Sequence, residues 1–237
     1  MTAPLLALHG FTQTGASWNP VIERLGGRPV TAPDLRGHGS AAALRPATLP
    51  AVMDDLDASA PNARTLAGYS MGGRIALAYA LARPERFREL VLISASPGLE
   101  DEAEREARRL DDEELAVRIE QDGVGAFARA WAALPLFAGQ HPAVSAFAHQ
   151  ERLRQSPNGL AAALRGLGTG VLEPLWDKLP ELRADVTLVV GDRDAKFLAI
   201  AERMSRLLPS ARTIVVAHSG HAVHLEAPQA VAEVLAS

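Results

Sequence analysis

Three short stretches of this 237-residue chain carry side chains suited to nucleophilic or base catalysis. They are "AGYSMGGR" (67–74) with Ser70, "GDRDAKF" (191–197) with Asp192 and Asp194, and "AHSGHAVH" (217–224) with His218, His221 and His224. A serine hydroxyl is a weak nucleophile and a weak base. An imidazole that takes its proton, oriented by a carboxylate, makes it competent as either. The glycines two before and two after Ser70 complete the pattern G-x-S-x-G, in which small residues relieve the crowding of a sharp strand-to-helix turn and leave the serine at its tip. Alone, that pattern also fits an ordinary turn with a serine near a helix N-cap, so the partners decide.

The elements that must position these residues are legible as alternating runs. Short apolar stretches at "PLLALH" (4–9), "RPVTA" (28–32), "RTLAGY" (64–69), "ELVLIS" (89–94), "VTLVVG" (186–191) and "RTIVVA" (212–217) read as six strands. Longer helical patterns separate them, which predicts an α/β fold with a mostly parallel, doubly wound sheet. The serine turn follows the third strand, the acidic stretch the fifth and the histidine stretch the sixth. All three therefore fall at C-terminal strand ends, on one edge of the sheet.

The order Ser, then acid, then His is the one expected at that edge. Asp194, a few residues beyond its strand, can lean toward the histidine loop. Asp192 sits tight against the strand end and is the alternative. His221, after Gly220, is the candidate base, flanked by His218 and His224. At the end of the first strand, "HGFTQTG" turns sharply, so the Phe11 and Met71 amides are the natural donors of an oxyanion hole. His9 and Gly10 of the same turn could equally serve packing.

The rhythm of strands breaks between about Pro97 and Asp185. Charged helical stretches such as "EDEAEREARRLDDEELAVRIEQDG" fill this interval, which reads as a helical cap (97–185) inserted into a core formed by 1–96 and 186–237. For most of its charged residues a solvated helix face is sufficient explanation.

Composition limits the function classes. The chain is 48% hydrophobic and 22% charged with a net charge of -4, a globular balance that argues against a general nucleic-acid surface. There is no cysteine, which excludes disulfides and thiolate chemistry. No apolar run is long enough to span a membrane, and "MTAPLLALHG" has no cationic leader, so a cytoplasmic protein without a membrane partner is expected. The three histidines of "HSGHAVH" lack a companion ligand set, so no metal is expected. No phosphate loop or dinucleotide fingerprint follows the first strand, so no cofactor is expected.

With "LHGF", "PDLRGHG", "GYSMGG", "GDRD" and "SGH" in order, the chain resembles the α/β-hydrolase superfamily over nearly its whole length, in a short form without the common N-terminal hairpin. The cap stretches "SPGLEDEAEREAR", "IEQDGVGAFARAWAALPLF", "RLRQSPNGLAAALRGLGTG" and "PLWDKL", with "DAKF", resemble the 2-succinyl-6-hydroxy-2,4-cyclohexadiene-1-carboxylate synthases of menaquinone biosynthesis. That resemblance implies a lyase. Ser70, backed by His221 and Asp194, would remove a proton from a cyclohexene bearing a succinyl ketone and an enolpyruvyl ether, and 2,5-elimination would expel pyruvate.

A small substrate with several carboxylates calls for guanidinium forks. The resemblance implies Arg74, one helical turn past Ser70, Arg108, and one of Arg152 and Arg154 as contacts, with Trp131 over the ring and Tyr69 beside the base. Each has a plainer explanation: a surface ion pair for Arg74, an i,i+4 network with neighbouring acids for Arg108, and packing for Trp131 and Trp176. The competing enzyme is a carboxylesterase or C–C bond hydrolase with Ser70 as covalent nucleophile, and a third reading is a non-catalytic binding module. A monomer or small homo-oligomer is expected.

Overall fold

The computed structural model describes residues 3–236. Six parallel strands, β1 (Leu5–Leu8), β2 (Val30–Thr31), β3 (Thr65–Tyr69), β4 (Glu89–Ile93), β5 (Asp185–Gly191) and β6 (Ala211–Val216), form one sheet in the order β2-β1-β3-β4-β5-β6. The expected runs match these strands to within two residues at either end.

Nine α-helices accompany them among the described residues: α1 (Asn19–Ile22), α2 (Leu49–Ser59), α3 (Met71–Ala82), α4 (Glu102–Ala132), α5 (Pro142–Leu153), α6 (Pro157–Leu167), α7 (Ala195–Leu207), α8 (Val223–Glu226) and α9 (Pro228–Ala236). None is long and apolar enough to cross a membrane.

The inner strands β1, β3, β4 and β5 are nearly continuous apolar runs because both faces of the sheet are covered there. Alternate residues point to opposite faces. Leu6, Leu8, Leu90, Leu92, Val186, Leu188 and Val190 join a core with residues of α2, α3 and α7. Leu5, Ala7, Val91, Ile93 and Val189 join a second core with residues of α1, α8 and α9. Full burial of one such leucine contributes about 1.5–3 kcal/mol, so the two layers hold the sheet edge rigid beneath the site.

The segment between β4 and β5 contains α4, α5 and α6. Its two ends are tied together where Leu175 N donates to Pro97 O (2.8 Å) and Trp176 Nε1 to Gly98 O (3.0 Å). Asp101 caps α4 by accepting from Glu104 N at 2.8 Å, and α4 breaks at Gly123, whose φ of 77° no helix contains. Ala116, Ile119 and Phe127 of α4 pack on Leu160, Ala161 and Leu164 of α6, with Phe11 of the core and Trp131 against them. The apolar faces of the charged helices thus lie toward the sheet edge, and pairs such as Arg165 with Glu113 and Glu120 stay outside.

Candidate active site

Strand pairing brings the three loops together. Leu8 of β1 is paired with Gly68 of β3, so the Gly10-Phe11 turn runs beside the β3–α3 elbow. Gly191 of β5 is paired with Val216 of β6, so the acid and histidine loops leave the sheet side by side. A Cβ at Gly191 would lie 2.2 Å from Ser219 O, and its absence lets the histidine loop cross the end of β5.

Ser70 has φ 51° and ψ −110°, a left-side conformation that a non-glycine residue keeps only when its surroundings enforce it. A Cβ at Gly68 would meet Gly72 O at 2.4 Å, and one at Gly72 would meet His9 O and Leu8 O at 2.4 Å. These contacts give the steric reason for both elbow glycines.

Ser70 Oγ lies 3.1 Å from His221 Nε2, and His221 Nδ1 lies 2.7 Å from Asp194 Oδ2. Because the carboxylate can only accept, Nδ1 carries the proton and Nε2 is free to accept from the serine. Asp194 also caps α7, where Phe197 N donates to Oδ1 at 3.5 Å. Asp192, the alternative acid, accepts instead from Ser219 N at 3.2 Å and braces the loop. The His221 ring is enclosed by Phe197 (centroids 4.5 Å apart) and Tyr69 (5.3 Å).

The Phe11 and Met71 amides have no intramolecular acceptor among the described residues, and both residues line the cavity that Ser70 and His221 enter. His9 holds the first turn in place by donating from Nδ1 to Gly10 O (2.8 Å) and accepting at Nε2 from Leu35 N (2.9 Å). Burial lowers its pKa to about 4, so the imidazole stays neutral and keeps that donor–acceptor pattern at neutral pH. The flanking His224 is also buried and neutral, its pKa lowered to about 3 by burial and then by His221 and His9. It bonds Gln13 Oε1 and stacks on Tyr69.

The cavity, about 570 Å³, lies between the sheet edge and the segment that joins β4 to β5. Arg74, Arg108, Trp131, Trp176 and Phe197 are among its walls. Arg74 is 8% exposed, and its guanidinium donates only to neutral oxygens, Thr169 Oγ1 and Leu167 O at 2.8 Å, leaving Nε without a partner. Burial, then repulsion from Arg108, lowers its pKa to about 10, with Asp112 opposing. Arg74 is therefore a charged group at pH 7 without a contacting counter-ion. Arg108 pairs with Asp112, the i,i+4 partner, at 2.8 Å, and its side chain stays 42% exposed along the wall. Trp131 meets Phe11 edge to face and packs at a tilt on Phe127.

Other expected contacts lie elsewhere. Tyr69 is buried against His221 and His224 and is not part of the cavity wall. As the last residue of β3, it joins the core that the sheet forms with α1, α8 and α9. Arg152 is buried over the Phe137 ring (5.0 Å), outside the cavity wall, and its Nε has no partner. Arg154, the residue that caps the C-terminus of α5, has a 74% exposed side chain at 3.5 Å from Glu151 and is not among the cavity walls. Trp176, assigned to packing from sequence, does line the cavity, with the Arg203 guanidinium 3.8 Å from its ring centroid.

The Alpha/beta hydrolase family model matches residues 5–234. The chain is 37% identical, over 95% of its length and 86% of the relative, to a putative 2-succinyl-6-hydroxy-2,4-cyclohexadiene-1-carboxylate synthase of Bacillus subtilis. It is 31% identical to the Klebsiella pneumoniae protein of that name, over 98% of this chain and 94% of the relative. The structure of MenH from S. aureus superimposes with a TM-score of 0.92 at 32% identity, covering 98% of this chain and 91% of that one. A thermophilic esterase from Thermogutta terrifontis, solved with malate bound, follows at TM-score 0.84 and 28% identity, covering 99% of this chain and 88% of that one. The chain belongs to the alpha/beta hydrolase family and, within it, to the family of 2-succinyl-6-hydroxy-2,4-cyclohexadiene-1-carboxylate synthases.

Proposed function

We propose that this protein is a carbon–oxygen lyase of menaquinone biosynthesis. It eliminates pyruvate from a succinyl enolpyruvyl hydroxycyclohexene carboxylate to give 2-succinyl-6-hydroxy-2,4-cyclohexadiene-1-carboxylate. The observation that carries the reading is Arg74, a buried guanidinium on the cavity wall whose hydrogen bonds go only to neutral oxygens. Burying a charge without a counter-ion is costly, and a substrate carboxylate supplies the missing partner. A neutral ester gains nothing from it.

In this reading Ser70 Oγ takes the ring proton as it passes its own to His221 Nε2, and Asp194 stabilises the imidazolium. The carbon–hydrogen electron pair moves into the succinyl ketone, whose developing oxyanion meets the Phe11 and Met71 amides. The enolate then collapses through the ring alkene, breaking the carbon–oxygen bond, and the proton held on His221 goes to the departing enolpyruvate, which leaves as pyruvate. Arg74 and Arg108 hold carboxylates on the far wall, and Trp131 lies over the ring. The enzyme works in the cytoplasm on this small anion.

The test is pyruvate release from the succinyl enolpyruvyl cyclohexene, run beside p-nitrophenyl acetate and with a Ser70→Ala control. Ser70-dependent pyruvate formation with slow ester cleavage is the expected result. Ester cleavage without pyruvate would replace the lyase by a hydrolase that uses Ser70 as a covalent nucleophile.

A further inference from the structure

Glu226 ends α8, and its carboxylate turns back along that single turn toward the histidine loop. Oε2 accepts from Gly220 N at 2.8 Å and Oε1 from Ala222 N at 3.1 Å. These are the two amides on either side of His221. A Cβ at Gly220 would sit 3.4 Å from both carboxylate oxygens, so the carboxylate lies directly beneath the peptide that presents the imidazole. A third donor arrives from the inserted segment: Gln140 Nε2 bonds Oε1 at 3.2 Å.

A four-residue helix cannot hold its own first amides, and it is too short to be stable without outside contacts. Here the carboxylate ties two amides ahead of the helix, Gly220 N and Ala222 N, to the helix's last residue, and bonds to a carboxylate are shorter and about twice as strong as neutral ones. Beyond the carboxylate, the amides from 219 to 222 are held only by Ser219 N on Asp192. The Tyr69 phenol is pushed upward in pKa by burial and then by the Glu226 charge, which places that charge close behind the ring that packs on His221.

We propose that Glu226 is a positioning residue for the reaction. It fixes the peptides flanking His221 so that Nε2 stays on the Ser70 hydroxyl, and Gln140 makes the inserted segment part of the same clamp. This rests on the reading of His221 as the base that serves Ser70. A displacement of about 1 Å in a reacting group can cost on the order of 100-fold in rate.

The experiment compares wild type, Glu226→Gln and Glu226→Ala by two readouts. One is the rate of Ser70 labelling by a fluorophosphonate, which needs the His221 base but not the native substrate. The other is kcat and KM for pyruvate release per labelled site, which removes any loss from unfolded protein. Expected is a fall in labelling rate and kcat of about 10- to 100-fold, larger for Ala than for Gln, with KM changed less than about threefold. The low-field proton resonance of the His221–Asp194 bond should broaden or move in both variants.

Should Glu226→Ala fail to fold, Glu226→Gln, which keeps the size and one acceptor, carries the test alone. Labelling rates within about twofold of wild type, with the low-field resonance unmoved, would overturn the proposal. If the wild type labels at Ser70 but releases no pyruvate, the lyase reading has failed, and the labelling comparison still decides the role of Glu226.

Discussion

Asp194 and His221 meet at 2.7 Å with side chains only 4% and 2% exposed, whereas Asp192, two residues earlier, faces the backbone of the same loop. The two carboxylates share a strand end and differ in what they can do. Asp194 fixes the imidazole with its proton on Nδ1, so Asp194→Asn should leave the wrong nitrogen protonated and cost about 10²- to 10⁴-fold in kcat. Asp192→Asn removes only a loop brace and should cost less than about tenfold. Equal losses in the two variants, measured by pyruvate release, would remove Asp194 from its assigned role.

The distinction between those two acids was legible because strand length and the parallel pattern fix where a loop begins. The same logic made the elbow readable: a Cβ at Gly68 or Gly72 would lie 2.4 Å from a backbone carbonyl oxygen. The cap residues were less legible. Arg152 lies in the last turn of α5 and Arg154 is its C-cap, and which of them faces inward depends on how the end of α5 is rotated against the core, a tertiary choice that periodicity in a half-polar helix does not settle. Glu226 was missed altogether, because a glutamate near the end of a short helix reads as surface charge. The spacing of six from Gly220 was its one sequence signal. Trp176 reads as packing because most tryptophans pack; its indole N–H and ring do so, on Gly98 and Arg203, and the residue also lines the cavity.

Arg74 offers the sharpest test of the substrate class. Arg74→Ala removes a desolvated cation and should weaken kcat/KM for the anionic substrate by about 2–5 kcal/mol. Arg74→Lys keeps the charge but loses the planar fork and should recover only part of it. Cleavage of p-nitrophenyl acetate should change little in either variant. A parallel loss of both activities would mean that Arg74 supports the elbow helix and does not contact the substrate.

Arg152, in the last turn of α5, and Arg154, its C-cap, should both bear on stability. Arg154→Ala removes a 74% exposed guanidinium from a Glu151 side chain that is only 4% exposed, and should leave pyruvate release unchanged while lowering stability by about 1–3 kcal/mol. Arg152→Ala deletes a buried guanidinium stacked on Phe137 and should lower thermal stability measurably, through lost packing as well as lost charge. Thermal melts and pyruvate release on both variants check this. A large activity loss in Arg154→Ala would show that α5 rotates in the substrate complex.

Acid should destabilise the fold before its carboxylates titrate. His9, His38 and His224 are buried, and burial is the leading cause that lowers their pKa values from 6.5 to about 4, 3 and 3. The second influence on His38 is the repulsion of His9, with Asp34 and the backbone carbonyls opposing. Between pH 6.5 and 4 the unfolded chain binds protons at these positions and the folded chain does not, so stability is full above 6.5 and falls as pH drops through that window. Each histidine adds a slope approaching about 1.4 kcal/mol per pH unit. Asp34 and Asp57, whose pKa values are lowered in the fold, contribute only as pH falls below their unfolded value of 3.8. Urea unfolding at pH 8, 6.5, 5.5 and 4.5 should show a nearly flat upper range and a steep lower one. His38→Asn, at a position where Nε2 has no partner, should reduce the slope by about one histidine's share. Stability that is equal at pH 8 and 4.5 would mean that all three imidazoles bind protons as readily in the folded protein as in the unfolded chain.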